Sequence, residues 1–335
     1  MKILLLGSTG LLGHNVARLL LEQGHEVHAL VRSRRRLHSA DFPHRETLLH
    51  LFEGSPADHK ALCQAAVGCE AVINCAGCTD MSLLHYEDYL PANRDLCAIL
   101  TELIQETGIT RLVHVSTVNT IGYGTPEHPA DEHAPLQEPF ASSFYARSKQ
   151  AGEELLLQFA AEHPEGHLIV VNPGFMIGAY DVRPSSGALL LAGWKKPLMA
   201  VPRGGKSFIP VRDAAAAIVN ALTMGENGQR YLLTSENMTL KEFYSLQARC
   251  CGYRQCCITL PDLLVEAMGR FGDVLRFLGL RTKLSSCNLR QLMVCEYYDN
   301  RKARQELRMP VTPIDKAILD FFNYRTSEKK AREKR

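Results

Sequence analysis

Lys2-Ile3-Leu4-Leu5-Leu6-Gly7-Ser8-Thr9-Gly10-Leu11-Leu12-Gly13 opens the chain. The apolar run from Ile3 to Leu6 suits a strand buried on both faces. Past Gly13 the period changes, and Val16, Leu19, Leu20 and Gln23 read as a helix. Strand, glycine-rich turn, helix is the context in which a glycine motif carries weight. The spacing is Gly-x-x-Gly-x-x-Gly. Gly7 permits the tight turn. Gly10 lets a pyrophosphate approach the backbone at the positive end of the helix. Gly13 lets the helix pack closely on the strand. Thr9, Leu11 and Leu12 lie in the same turn and join the three glycines as candidate cofactor-binding positions. A glycine turn without a ligand is the competing reading.

Downstream, strand and helix signals alternate. Strands are expected over 26–31, 48–52, 71–75, 112–116 and 167–171. Helices are expected over 56–67, ended by Gly68, and over 89–107, stopped by Gly108. Apolar strands alternating with helices imply a parallel sheet covered on both faces. The expected fold is α/β: a Rossmann-type doubly wound parallel sheet with a smaller C-terminal substrate-binding lobe. A chain of 335 residues exceeds what one core usually holds. Residues 1–178 are read as the NAD(P)-binding domain with the catalytic helix, and 179–324 mainly as the lobe. A stretch of about 207–233 returns to the main domain, and 325–335 form a basic tail.

Composition narrows the function. Hydrophobic content of 46% and charged content of 22% are ordinary for a globular protein. The net charge is +2, and the tail alone holds six basic and two acidic residues, so the remainder is −2. No basic face is implied, which argues against a nucleic-acid partner. The tail reads most simply as a solvated, frayed end. No stretch approaches the ~20 apolar residues of a membrane span. The run Ile3 to Leu6 is too short for a secretory signal. Eleven cysteines without such a signal point to free thiols and a cytoplasmic location. Cys250-Cys251 and Cys256-Cys257 lack the paired spacing of zinc sites, so no metal is expected.

The end of the second strand bears on cofactor choice. An acid there would hydrogen-bond the ribose 2′-OH of NAD. Val31-Arg32-Ser33-Arg34-Arg35-Arg36 offers no acid and four arginines. A guanidinium matches a 2′-phosphate with its planar fork. Arg32 follows the strand directly, and the expected cofactor is NADP, with NAD as the alternative. Arg34 to Arg36 read as a solvated basic loop.

Phe144-Tyr145-Ala146-Arg147-Ser148-Lys149 opens a long amphipathic helix. Positions i and i+4 share a helix face, so Tyr145 and Lys149 project side by side. A free tyrosine has a pKa of about 10. A nearby ammonium favours the phenolate and lowers that value. Tyr-x-x-x-Lys alone is common, and its weight comes from the glycine turn before it.

Together these residues resemble the extended short-chain dehydrogenase/reductase family, over essentially the whole chain. Within it the closest likeness is to the dihydroflavonol-reductase and 3β-hydroxysteroid-dehydrogenase branch. Arg32, Asn172-Pro173-Gly174 and the stretch Tyr298-Asp299-Asn300-Arg301-Lys302 carry that likeness. The resemblance puts Thr117 in the family's Ser/Thr slot, with Ser116 as the alternative. It implies that Lys149 also bonds the nicotinamide ribose. It implies that Ala76 and Gly77 let the adenosine half lie close, and that Pro173 brings backbone near the nicotinamide. Asn93 matches the family's helix asparagine, while a simple polar helix position explains it equally well. Ser55 stands where the family usually has an aspartate facing adenine.

The second half is less patterned. An irregular loop is read over 181–187, a short helix over 188–194 and a turn over 202–206. Thr239-Leu240-Lys241-Glu242 fits a capping box. The stretch 261–280 is amphipathic; Arg270 and Arg276 are offset by Asp262, Glu266 and Asp273, so it reads as a substrate-covering helix rather than a membrane-surface one. The resulting expectation is an NADP-dependent oxidoreductase with Tyr145 as general acid/base, Lys149 tuning it and Thr117 positioning the oxygen. Its partner would be a small, apolar carbonyl compound, and a homodimer is left open. An NAD-dependent nucleotide-sugar epimerase or dehydratase is the runner-up, with Arg203 and Arg212 for the diphosphate. A non-catalytic NADP-sensing protein is the third reading.

Overall fold

The computed structural model describes residues 1–37, 42–182 and 186–333. Pro184 and Ser185 of the expected loop, and Lys334 and Arg335 of the tail, lie outside the described residues.

The first half runs β1 (Lys2–Leu6), α1 (Leu11–Glu22), β2 (Glu26–Val31), α2 (Arg45–Leu48), β3 (Leu49–Glu53), α3 (His59–Ala66), β4 (Ala71–Asn74), α4 (Leu96–Thr107) and β5 (Arg111–Val115). Then come α5 (Phe144–Glu162), β6 (His167–Pro173), β7 (Phe175–Ile177), α6 (Gly187–Gly193), β8 (Leu198–Val201), β9 (Gly205–Pro210), α7 (Val211–Asn220) and β10 (Gln229–Leu233). The chain closes with β11 (Glu236–Thr239), α8 (Leu240–Cys250), β12 (Cys256–Thr259), α9 (Asp262–Phe277), α10 (Ser286–Arg290), β13 (Cys295–Glu296), α11 (Arg301–Glu306) and α12 (Ile314–Glu333).

Seven strands form one parallel sheet in the order β10-β6-β5-β4-β1-β2-β3. The fold is the α/β, Rossmann-type arrangement expected. Its alternation is visible in β1. Ile3 and Leu5 enter a core with Val16 and Leu20 of α1, while Leu4 and Leu6 enter the opposite one with Leu62, Leu96 and Leu100. Successive side chains of a strand point to opposite faces, so a strand buried on both sides must be apolar throughout. The strand order reverses between β1 and β4, and ligands of open α/β sheets bind at such a switch point, beyond the carboxyl ends of the strands.

A smaller sheet holds β7, β9, β11 and β13, and β8 pairs with β12. Phe208 and Phe243 stack at 4.4 Å in its core beside Phe321. Within 207–233, α7 packs on α1 and β10 pairs with β6 of the main sheet, while β9 stays in the smaller one.

Several expectations shift. The helix over 56–67 starts only at His59, because Asp58 caps it by accepting from the Lys60 and Ala61 amides. The long helix over 89–107 begins with a π turn, Pro91–Asp95, before α4. The expected turn over 202–206 is shorter, since Gly205 already pairs in β9. The tail read as frayed is helical to Glu333, as the end of α12. The capping box forms as its spacing implies, with Thr239 and Glu242 bonded reciprocally.

Candidate active site

Gly7, after β1, adopts φ 82°, a left-handed backbone that favours glycine. A Cβ there would stand 2.5 Å from the Cys75 carbonyl carbon, and one at Gly13 would stand 2.2 Å from Gly7 O. Both glycines are therefore demanded by close backbone approach. Gly10 differs: its nearest neighbour is at 3.5 Å, and it lies exposed at the N-cap of α1 beside exposed Thr9. The amide end of α1 is thus open to an anion. Leu11 is partly buried, and the Leu12 side chain is in the core, so Leu12 can offer a ligand only its backbone. Buried Ser8 Oγ has no hydrogen-bond partner in the structure. The turn fits a dinucleotide pyrophosphate.

The Cys75–Gly77 turn, after β4, faces this crevice. Asn74 Oδ1 accepts the Ala76 amide at 3.0 Å. A Cβ at Gly77 would stand 3.2 Å from Asn93 Oδ1 and 3.5 Å from Lys149 Nζ. Gly77 therefore lies directly over the lysine head. Pro173 is the buried last residue of β6, opposite Leu233 of β10.

Helix α5 starts where Ser143 Oγ accepts the Ala146 amide. Tyr145 is half-buried on its first turn, and Lys149 is buried one turn on. Thr117 follows β5, and its side chain stands close enough to the Tyr145 hydroxyl to favour the phenolate. Thr117 O accepts from Asn172 Nδ2 at 3.1 Å, which holds that segment on β6. Ser116, the alternative hydroxyl, is buried without a partner. The structure joins Tyr145 with Thr117 and leaves Ser116 apart.

Electrostatics differ from what Tyr-x-x-x-Lys spacing suggests. Burial pushes Tyr145 up to about 12; the Thr117 side chain pulls it down and nearby Cys78 pushes it up. The Lys149 ammonium is bound at the end of β5. Its Nζ donates to Val115 O at 2.7 Å, and burial lowers its own pKa, against the attraction of Cys97, Glu153 and Cys75. In this chain by itself, desolvation of the phenolate outweighs the ammonium. His114, buried under the same lysine, is held well below its usual range by burial first and then by Lys149.

Two further supports hold the site: Asn93, which the sequence left open between a functional and a simple polar helix position, and Glu153, which it did not single out. Asn93, in the π turn, donates through Nδ2 to Cys78 O at 3.0 Å and to Ser148 Oγ at 2.9 Å, and its Oδ1 accepts the Cys78 amide at 2.8 Å. It is a clamp between the loop at Cys78 and helix α5. Gly152 makes this possible, since a Cβ there would meet Asn93 O at 2.1 Å. Fully buried Glu153 accepts from Thr120 Oγ1 and Asn172 Nδ2, each at 3.0 Å, and pairs with Arg230. The available signal was the Lys149–Glu153 spacing of i,i+4.

Arg32 is exposed just past β2, and its side chain forms no hydrogen bond or ion pair with a described residue. Arg34 instead donates to Leu51 O at 3.1 Å. All eleven cysteines are free thiols. No described helix is long and apolar enough to cross a membrane.

Comparison with known proteins follows the same lines. The family model for the NAD dependent epimerase/dehydratase family matches residues 3–233. "Sterol demethylase protein B" of Methylococcus capsulatus is 26% identical over 324 residues, covering 96% of this chain and 97% of that protein. The bifunctional dihydroflavonol 4-reductase/flavanone 4-reductase of Pyrus communis is 24% identical over 257 residues, 72% of this chain and 74% of that one. The structure of UDP-glucose 4-epimerase from Thermotoga maritima, with UDP-glucose, superposes with a TM-score of 0.75 at 18% identity, covering 98% of this chain and 99% of that one.

Proposed function

The chain belongs to the NAD-dependent epimerase/dehydratase family, and from that premise we propose that it is an NADP-dependent reductase of an apolar carbonyl compound, or, in the reverse direction, a dehydrogenase of the corresponding secondary alcohol that passes the hydride to NADP. The observation that carries this reading is the convergence of the Thr117 and Tyr145 side chains with a buried lysine head under the Gly77 turn.

Bound NADPH supplies the hydride that reaches the carbonyl carbon. The chain's residues manage the oxygen. Thr117 orients it. Tyr145 is protonated at neutral pH, being pushed up to about 12 by burial, and is therefore in the acid form that gives the oxygen its proton. Gly7, Gly10 and Gly13 would hold the pyrophosphate, with Thr9 and the backbone of Leu11 and Leu12 beside it. Ala76, Gly77 and Pro173 would flank the adenosine and nicotinamide ends. Arg32 would meet a 2′-phosphate, and Lys149 would bond the ribose.

Two observations favour an apolar substrate over a nucleotide-sugar. Tyr89 stands with its ring centroid 6.5 Å from that of Tyr145, and the rings of Tyr86 and Phe144, from the same two segments, lie 6.1 Å from each other. Arg203, a cation available for a diphosphate, is paired with Asp262 at 3.0 Å. The names of the sterol and dihydroflavonol relatives agree with a ring-containing apolar substrate. An NADPH-oxidation assay across apolar ketones and nucleotide-sugars tests the proposal. Turnover of ketones with NADPH is expected. Turnover confined to nucleotide-sugars with NAD would overturn it.

A further inference from the structure

Cysteine spacing gives no reason to expect a metal, yet the sheet assembles a different donor set. Glu26 and His28 stand two apart on β2, so their side chains leave the same face. His50 of β3 lies directly opposite His28 in the parallel register. One ligand atom from each of the three lies within 4.8 Å of the other two. Glu26 Oε1 is 3.3 Å from His28 Nε2 and 3.4 Å from His50 Nε2. Both separations are long for a hydrogen bond, whose N···O distance centres at about 2.9–3.0 Å. They match the edge of a metal tetrahedron. With zinc bonds to nitrogen and oxygen of about 2.0–2.2 Å, neighbouring ligands stand about 3.3–3.5 Å apart.

The His28 ring supplies an independent observation. It is buried, 6% exposed, and Phe52 packs on it at 4.9 Å. Its Nδ1 lies 2.7 Å from Ala65 O. A carbonyl only accepts, so Nδ1 carries the hydrogen and donates. In the neutral ring Nε2 is then a bare lone pair, and it faces a carboxylate oxygen. Two acceptors turned on each other repel, and a cation between them satisfies both. Metal-ligating histidines have this arrangement: the second ring nitrogen donates to a carbonyl or carboxylate and so fixes the tautomer. His50 and Glu26 lie at the rim, with side chains 47% and 34% exposed. An ion therefore has a way in, and water can complete its coordination.

We propose that Glu26, His28 and His50 form a binding site for a divalent transition-metal ion of the zinc type. Two imidazoles and one carboxylate suit zinc, whereas calcium and magnesium prefer oxygen ligands throughout. All three ligands stand on paired strands, which hold them more precisely than loops do. The site lies near the amino end of β2, while the Gly7 turn follows the carboxyl end of β1. The ion's role is therefore structural. It cross-links β2 to β3, the last strand of the sheet, and the proposal stands apart from the reductase reading. Lys2 is the competitor. Its Nζ reaches the same Glu26 oxygen at 3.0 Å and must withdraw toward solvent when the ion enters. His59, Cys63 and Glu106 form a second group of possible ligands, but His59 and Glu106 already pair at 3.0 Å, and both are exposed on helices.

Calorimetric titration of the full chain with Zn²⁺ alone, without a polyhistidine tag and after treatment with a chelator, tests the site. The wild type should bind zinc, and should not bind Ca²⁺ or Mg²⁺. His50→Ala and Glu26→Gln change residues at the rim, so the metal-free melting temperature should move little. Zinc affinity should fall by about a hundredfold or more in each, since outer-shell partners alone are worth about 10–100-fold. Lys2→Met removes the competing ammonium and should tighten zinc binding. Zinc should raise the melting temperature of the wild type and leave that of His50→Ala where it was. One equivalent of Co²⁺ separates the donor types, because a thiolate ligand adds an intense near-ultraviolet band that this site must lack. The proposal is overturned if the wild type binds no zinc in the micromolar range, in which case a proton alone bridges His28 and Glu26. It is overturned equally if both rim variants bind zinc as the wild type does, or if the Co²⁺ complex shows the thiolate band. None of these readouts needs turnover, so failure of the reductase assay and failure of the metal site are separate results.

Discussion

Asn93 Nδ2 donates to Ser148 Oγ at 2.9 Å, joining the π turn to the residue before Lys149. A π turn places one extra residue in the helix and turns a side chain away from the regular face, often at functional sites. Here that side chain satisfies three polar groups of the Cys78 backbone and Ser148 at once. Asn93→Ala should leave buried groups unpaired and cost about 1–3 kcal/mol of stability. It should also loosen the crevice loop and raise the NADPH dissociation constant. Thermal melting with and without NADPH measures both. An unchanged melting temperature would show that the clamp is idle.

Tyr145→Phe keeps the ring and removes the hydroxyl that faces Thr117. Turnover on a carbonyl substrate should fall by about 10²–10⁴-fold, the usual worth of a positioned acid. NADPH binding should survive, because the glycine turn lies elsewhere. Full turnover in this variant would exclude Tyr145 as the proton donor.

The pH profile follows from the same residue. Its pKa in this chain is raised to about 12. A group acting as an acid must hold its proton, so carbonyl reduction should stay level through neutral pH and fall only in alkaline solution. Alcohol oxidation needs the deprotonated form and should rise as pH rises. Steady-state rates in both directions check the sign. A reduction rate already falling between pH 6 and 8 in step with Tyr145 would mean that bound cofactor lowers the pKa far more than this chain's own groups do.

Arg32→Asp removes an exposed guanidinium just past β2 and puts an acid where NAD's ribose would want one. NADPH should weaken by about 1.5–3 kcal/mol, the worth of a hydrogen bond to a charged group, and NADH should gain relative to it. Calorimetric titration with both cofactors decides. Equal affinities of the wild type would remove the role of Arg32.

Gly13→Ala would place a Cβ 2.2 Å from Gly7 O. Helix α1 must then move off the turn, at about 1–3 kcal/mol, and NADPH binding should weaken with it. A variant that melts and binds as the wild type does would show that the turn has slack.

Local pattern in the sequence was enough for the architecture and for much of the candidate site. Apolar strands, helix periods and glycines at 7, 10 and 13 are short-range features whose physics acts within a few residues. They determine a doubly wound parallel sheet with its ligand end beside Gly7. Tyr145 and Lys149 were legible because i,i+4 spacing is itself geometry. Tertiary packing decided the rest. Whether Ser116 or Thr117 meets Tyr145 depends on how the segment after β5 lies against Asn172 of β6. The tyrosine's proton affinity depends on burial, which no spacing states. Asn93 became a clamp only because Gly152 lets two helices meet at backbone distance. The same is true of α9. Its residue pattern shows that one face is apolar, but which face turns to water was decided by Gly269 and Gly272 packing against Leu284 and Ser286, since small residues allow the closest approach and leave the large ones outside.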